Sequence, residues 1–365
     1  MNDYLSQNGI SFLNKFLTED SWAFVNKNEY KIIGIILEGK RAIKELDFQI
    51  NFGIKTGLNS VFYISDNIKD QLIKRDIRNA EIIKPILRGK DIYKYQAIFR
   101  DVYVLFMRRG IDIEQYPTIK EYLISHYEEL KPKNNGEATG RKPGPYKWYE
   151  LQDNIAYFND FKKEKIAWIE LSDKPQFILD YDGFYIDATG FILTGENLKF
   201  LISILNSKLC EWYFDKITTS SGMGTNRWKK AYVENIPIPE IPKIEMRPFE
   251  ILVDYITFIK KYVDRISPYT PNAHIAANFE ELLDACVYEL YFKQHMLEKE
   301  IAVIKEVNEL LQPIDNLDEK SQPMVIVSII NKVYDEYKST DNVIRRRILD
   351  FPVKSSDIIN LIQNG

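Results

Sequence analysis

Two short strings carry most of the information in this chain: FGIKTGLNSVF at residues 52–62 and EIIKPILRGKDI at residues 81–92. In the first, Gly53 and Gly57 flank Lys55 and Thr56 between two apolar runs. Paired glycines of this kind make a turn whose backbone can approach another backbone closely. The second string ends in the basic turn Arg88-Gly89-Lys90. Strand signals on either side of Gly53–Gly57 predict two strands over residues 46–64, with Asp66 capping a helix through Lys74. A further helix is expected from Asn79 until Pro85 disturbs it.

Outward from these strings the chain reads as α+β. Residues 1–45 suggest two short helical stretches, with Ile32, Ile33, Ile36 and Leu37 on one face. Residues 91–107 alternate as two strands, and a helix begins at Pro117 and runs through Leu130. The stretch 131–147 (KPKNNGEATGRKPGPYK) reads as a mobile loop, having three Gly, three Pro and almost no aliphatic side chain. Short strands follow near 166–170, 176–179, 184–187 and 190–194. A helix is then expected from an Asn197 cap to Lys216, and a flexible polar loop over Thr218–Asn226. Pro237, Pro239 and Pro242 mark a hinge. Beyond it the pattern turns helical: residues 246–266 and 278–311 read as an antiparallel helical hairpin, and 324–337, 341–349 and 355–363 as three more helices. The expected division is a helical lead-in (1–45), a recognition domain (46–242), a helical hairpin (243–312) and a helical tail (313–365).

The 365 residues carry a formal net charge of −4, unevenly spread. Residues 245–320 hold 15 acidic and 8 basic groups and residues 321–365 are +1, which leaves +2 on residues 1–244. Basic groups there are clustered, and local patches rather than total charge make a phosphate footprint. Cys210 and Cys286 have no metal-site or disulfide spacing, so they read as buried thiols in a reducing compartment. His126, His274 and His295 form no ligand pattern. No apolar run reaches the length of a membrane span and the N-terminus lacks a signal-peptide layout, so a soluble, cytoplasmic chain is expected.

Catalytic signatures are missing from the sequence. Adenine methylation needs an Asn/Asp-Pro-Pro-aromatic grip and a glycine turn after a strand, but there is no Pro-Pro dipeptide and Gly222 and Gly224 follow a helix. Glu29-Tyr30-Lys31 and Glu164-Lys165 match a nuclease motif only in part. Gly140–Gly144 lacks the terminal lysine of a phosphate loop.

Candidates for binding are better placed, though each has a purely structural alternative. Phe52–Asn59 is either a turn needed for folding or a loop that aims Lys55, Thr56 and Asn59 at DNA. Lysine and amides suit phosphates, and Asn pairs bidentately with adenine. Arg88 and Lys90 read equally as a basic turn or a solvated helix end. Arg141, Lys142, Tyr146 and Trp148 interleave cations with rings, which suits ordering on a nucleic-acid groove as well as a surface loop with a buried Trp. Asn226, Arg227, Lys229 and Lys230 combine a guanine-reading Arg with phosphate-binding lysines.

The two opening strings, in this order and spacing, resemble the TaqI-like C-terminal specificity domain, the DNA target-recognition part of adenine-N6 methyltransferases and type IIG restriction-modification enzymes. Further segments extend the resemblance: Tyr146–Leu151 (YKWYEL), Lys165–Trp168 (KIAW), Leu205–Leu209 (LNSKL) with Trp212–Phe214, Lys229–Pro239 (KKAYVENIPIP) and Asp284–Tyr291 (DACVYELY). It covers about 45–295. It implies an irregular, short-stranded α+β specificity domain followed by an antiparallel helical hairpin, double-stranded DNA as partner, and an N-terminal methyltransferase domain, with or without a nuclease, elsewhere in the full-length protein. No cofactor is implied in this chain; S-adenosylmethionine, and Mg²⁺ for cleavage, would belong to those domains. Residues after about 313 match nothing in the family. A free-standing metal-dependent DNA endonuclease and a protein-interaction module are the rival readings.

Overall fold

A computed structural model describes residues 26–218 and 226–364. The first half of the expected lead-in and most of the loop Thr218–Asn226 lie outside the described residues. Helix α1 (Lys27–Leu37) is capped by Asn26 and buries Ile32, Ile33 and Ile36, whereas Leu37 is 40% exposed. After β1 (Arg41–Ala42), the region 46–64 departs from expectation. β2 (Gln49–Phe52) and β3 (Tyr63–Ser65) do not pair with each other; the single-turn helix α2 (Asn59–Phe62) separates them and they join different sheets.

Ser65, not Asp66, caps α3 (Asp66–Arg75), accepting a hydrogen bond from the Ile68 amide. The helix expected from Asn79 is a 3-10 turn (Ile77–Glu81) that gives way to β4 (Ile83–Leu87). Pro85 sits inside this strand, which pairs with one neighbour through Ile83–Pro85 and with another through Ile86–Leu87. The hairpin β5 (Ile92–Tyr93) and β6 (Gln96–Ala97) precedes β7 (Val102–Leu105). The helix after Pro117 breaks at Ser125-His126 into α4 (Pro117–Ile124) and α5 (Tyr127–Leu130).

The four strands expected after residue 160 are present as β8 (Lys165–Ile169), β10 (Phe177–Asp180), β11 (Tyr185–Ile186) and β12 (Gly190–Thr194), and an unexpected short β9 (Leu171–Ser172) follows β8. Next come α6 (Leu198–Leu205) and α7 (Lys208–Ile217), where one helix is expected. Asn197 precedes α6 in a left-handed conformation and makes no side-chain cap. The break has a cause: the Asn206 side chain bonds both the amide and carbonyl of Phe177, and Ser207 caps α7 through the Cys210 amide.

Among the described residues two four-stranded sheets result, ordered β10-β8-β12-β2 and β11-β4-β7-β3. The first is antiparallel and buried on both faces, which explains why Ile166–Ile169 of β8 read as an unbroken apolar run. Its Ile166, Trp168, Phe177, Phe191 and Leu193 face a large helical core, while Ala167, Ile178 and Ile192 face the core of the second sheet. The strand period of two is what splits these residues between the faces.

The remaining elements are β13 (Asn226–Arg227), α8 (Lys230–Val233), β14 (Pro237–Ile238), α9 (Lys243–Lys261), α10 (Asn272–Glu298), α11 (Ile304–Leu310), α12 (Pro323–Lys338), α13 (Val343–Leu349), α14 (Phe351–Lys354) and α15 (Ile359–Asn364). The proline-rich stretch is not a free hinge. β14 pairs with β1, and the Tyr291 hydroxyl donates to the Pro237 carbonyl at 2.6 Å. Helices α9 and α10 form the expected hairpin, although its second arm ends at Glu298 instead of running to 311, and their buried residues join α1, α6, α7 and α12 in one core. Polar ties reinforce this: Glu280 on α10 holds Lys94 (2.8 Å) and Lys260 (2.7 Å), and Asp284 accepts the Lys208 amide at the start of α7 (2.8 Å). Cys210 and Cys286 are both buried free thiols. No helix among the described residues is long and apolar enough to cross a membrane.

Candidate nucleic-acid interface

The two opening strings meet at a segment that the sequence did not single out, the turn Asp187–Gly190. The Gly53 amide donates to the Gly190 carbonyl (2.9 Å) and the Ile54 amide to the Ile186 carbonyl (2.7 Å). A side chain at Gly53 would lie 1.8 Å from the Asp187 carbonyl oxygen, so only glycine permits this approach. On the other side, the Asp187 amide donates to Leu87 (3.0 Å), and Gly89 packs beside Thr189, whose hydroxyl would lie 2.7 Å from an added Cβ. The Glu170 amide bonds the Thr189 carbonyl (2.8 Å) and the Trp228 amide bonds the Glu170 carbonyl (2.7 Å). The loop at Lys55 and the strand leading into the Arg88–Lys90 turn thus bond this turn directly, and the strand at Arg227 is linked to it through the backbone of Glu170.

Asp187 is buried there, and burial pushes its carboxyl above the usual carboxylate range, while hydrogen bonds from Thr189 and the Gly89 amide pull the other way. The nearby Tyr63 hydroxyl is buried, makes no hydrogen bond and is raised by that burial. Asp91, 1% exposed, gathers two arginines. Arg88 Nε lies 2.8 Å and Arg100 Nε 3.1 Å from its carboxylate. Arg88 is therefore a held side chain, about one quarter exposed, and Arg100 is half exposed beside it. Two guanidinium groups fixed by one buried carboxylate present forked donors at low entropic cost. Sequence reasoning missed Arg100 because the β5–β6 hairpin, folding Ile98 back onto Asp91 (2.8 Å), is what brings it there.

Several expected contacts prove to be supports. Thr56 is fully buried; its hydroxyl donates to Asn59 Oδ1 (2.6 Å) and accepts the Leu58 amide (3.1 Å). Arg141 is 2% exposed and does not face solvent. Its guanidinium donates to the carbonyls of Leu130 (2.9 Å), Thr56 (3.0 Å), Glu150 (2.8 Å), Trp148 (2.7 Å) and Lys147 (3.3 Å). Burial pulls its pKa down. The loop 131–147 is thereby pinned rather than loose, with Arg141 also bridged to Pro132 and stacked under Tyr146 at 4.4 Å. Tyr146 is buried against that cation, and its hydroxyl bonds the Lys142 carbonyl. Trp148 is half-buried, edge-on to Tyr127 (5.2 Å) and Tyr149 (5.5 Å).

Exposed cations surround these supports. Lys55, Asn59, Lys90 and Lys142 are exposed, with the Asn59 amide group oriented by Thr56. Arg227 is half exposed and only loosely paired with Glu170 (3.7 Å). Asn226 pairs with Ser172 through the backbone of β13. Lys229 is half-buried, and Lys230 reaches the Ile50 carbonyl at 3.1 Å. Between Arg227 and Lys229, Trp228 is buried, stacked on Phe214 at 3.8 Å, so it anchors the basic segment. Among the described residues, no group of three or more His, Cys, Asp or Glu is arranged to hold a metal ion.

Residues 84–238 match the family model of the TaqI-like C-terminal specificity domain. It is this stretch, 84–238, that is similar to the TaqI-like specificity domain. The matched stretch contains β4, the Arg88–Lys90 turn, the Asp187–Gly190 turn and Arg227–Lys230, and it stops at β14. Among solved structures, the chain is similar to the type IIL restriction-modification enzyme MmeI in complex with DNA, with 12% identity and a TM-score of 0.47 over 81% of this chain and 37% of that one. It is also similar to the type IIG restriction endonuclease BpuSI, with 13% identity and a TM-score of 0.37 over 73% of this chain and 34% of the other. The chain spans about a third of the length of either.

Proposed function

We propose that this chain reads the DNA target for a restriction-modification adenine-N6 methyltransferase of the type IIG or a related class, the chemistry being done by domains outside it. The observation that carries the reading is the junction at Asp187–Gly190, which joins three basic segments around the specificity domain. In this reading residues 46–242 hold double-stranded DNA and helices 243–312 brace them. S-adenosylmethionine, and Mg²⁺ if the enzyme cleaves, belong to the catalytic domains.

Lys55, Lys90, Lys142, Arg227, Lys229 and Lys230 neutralise phosphates, Asn59 and Arg100 approach base edges, and Arg88 shares Asp91 with Arg100. Thr56, Arg141 and Tyr146 orient these groups without touching DNA, and Trp148 lies at the rim. Competition binding with a cognate duplex and its single-base variants tests the division. Asn59→Ala should cost about 1–3 kcal/mol at one base pair and spare random DNA, whereas Lys55→Ala should weaken all sequences alike. Replacing Arg227, Lys229 and Lys230 by Ala should flatten the salt dependence by up to about three phosphate contacts. An unchanged slope, with equal losses for Asn59→Ala on cognate and random duplexes, would move the DNA surface elsewhere.

A further inference from the structure

At the opposite end of β4 from the Arg88–Lys90 turn lies a cavity of about 360 Å³ that the recognition reading does not use. Three cations line it, Lys84, Arg108 and Lys162, and among the described residues none of them makes an ion pair. Lys84 has only a long contact to the Ala80 carbonyl (3.5 Å), and Arg108 lies over the Phe158 ring at 5.1 Å. The two carboxylates in the lining are otherwise engaged. Glu81 accepts the Tyr116 hydroxyl (3.0 Å), and Asp112 accepts the Glu114 amide (3.1 Å). Burial and then repulsion from Lys162 lower the Lys84 pKa, with attraction from Glu81 too weak to offset them. Phe158 supplies a ring face at the edge of the same cavity.

We infer that this cavity binds a phosphate ester carrying a planar base, with Lys84, Arg108 and Lys162 on the phosphate and Phe158 beside the ring. A dianionic phosphate supplies the direct ion pairs these three cations lack and accepts charge-assisted hydrogen bonds from all of them. A cavity of this size suits one nucleotide. None of its lining residues is assigned a DNA contact above, so the two proposals fail separately.

Calorimetry of the full chain with adenosine 5′-monophosphate, with inorganic phosphate and with adenosine tests it. The monophosphate should saturate one site, phosphate should compete, and adenosine should bind far more weakly. Lys162→Ala and Arg108→Ala, both at exposed positions and so compatible with folding, should each weaken the monophosphate by about tenfold or more. A duplex that displaces the monophosphate identifies DNA as the source of the phosphate; a duplex that does not identifies a free nucleotide. Absence of saturable binding by the monophosphate and by phosphate, or equal binding by both variants and the parent, overturns the proposal.

Discussion

The Arg141 guanidinium is buried and makes no salt bridge, so its charge is met chiefly by carbonyl dipoles, helped by the Tyr146 ring and the more distant Glu150 carboxylate. Together the bonds tie three pieces of backbone: the end of α5, the loop at Thr56 and the segment 147–150. Replacing it by Met would leave several carbonyls unpaired in a site that water does not reach. Arg141→Met should therefore cost about 3 kcal/mol or more in denaturant unfolding, with Lys rescuing little because it lacks the planar fork. A loss below about 1 kcal/mol would mean that the loops hold without this residue. The arginine's spacing among Gly, Pro and Lys gave a reader no means to separate it from Lys142. Burial distinguishes them, and burial is a property of the folded chain.

At the scale of elements, the tightest constraint is the place where β2 leaves the central sheet and passes the Asp187 carbonyl. Gly53→Ala should break this junction and lower stability by several kcal/mol, since the obstruction is backbone and cannot swing aside. Gly34 offers a contrast on α1: an added Cβ meets nothing within 4 Å. Gly34→Ala should stabilise by about 0.5–1 kcal/mol through helix propensity. Thermal melts of the pair in parallel check both signs. The glycine pair was legible as a close-approach turn, but its partner was not. A strand at 190–194 is what lies beside β2, and no local pattern connects residues more than a hundred positions apart.

The whole molecule is joined by buried charge as well as by apolar packing. Burial raises Asp284 on α10 and Asp254 on α9 to about 6 each, in both cases against the pull of nearby lysines, Lys94 for Asp284 and Lys199 for Asp254. A carboxyl whose folded pKa is raised binds its proton more tightly in the folded state than in the unfolded chain. Its cost is thus full above about pH 6 and is relieved as the pH falls toward 4. Asp284→Asn keeps an oxygen for the Lys208 amide, so it should stabilise at pH 7 and flatten the stability change between pH 7 and 5; an unaltered profile would show that Asp284 does not titrate in that window. Because α9 and α10 share one core with α6 and α7, a chain cut after residue 242 should lose the cooperative melt of the parent. A folded, DNA-binding fragment ending at 242 would show that the helices are dispensable.

By itself the sequence determined the class of elements, their order, the resemblance to a specificity domain and the basic clusters, because periodicity, turn chemistry and charge are local properties written residue by residue. Tertiary structure decided the rest. It sorted Thr56 and Arg141 into the interior while Lys55 and Lys142 stayed outside, added Arg100 to Arg88, and turned the Pro237 hinge into a paired strand. Each of these outcomes depends on which distant backbone lies alongside, and that is settled only when the two sheets and the helical layer bury one another's faces.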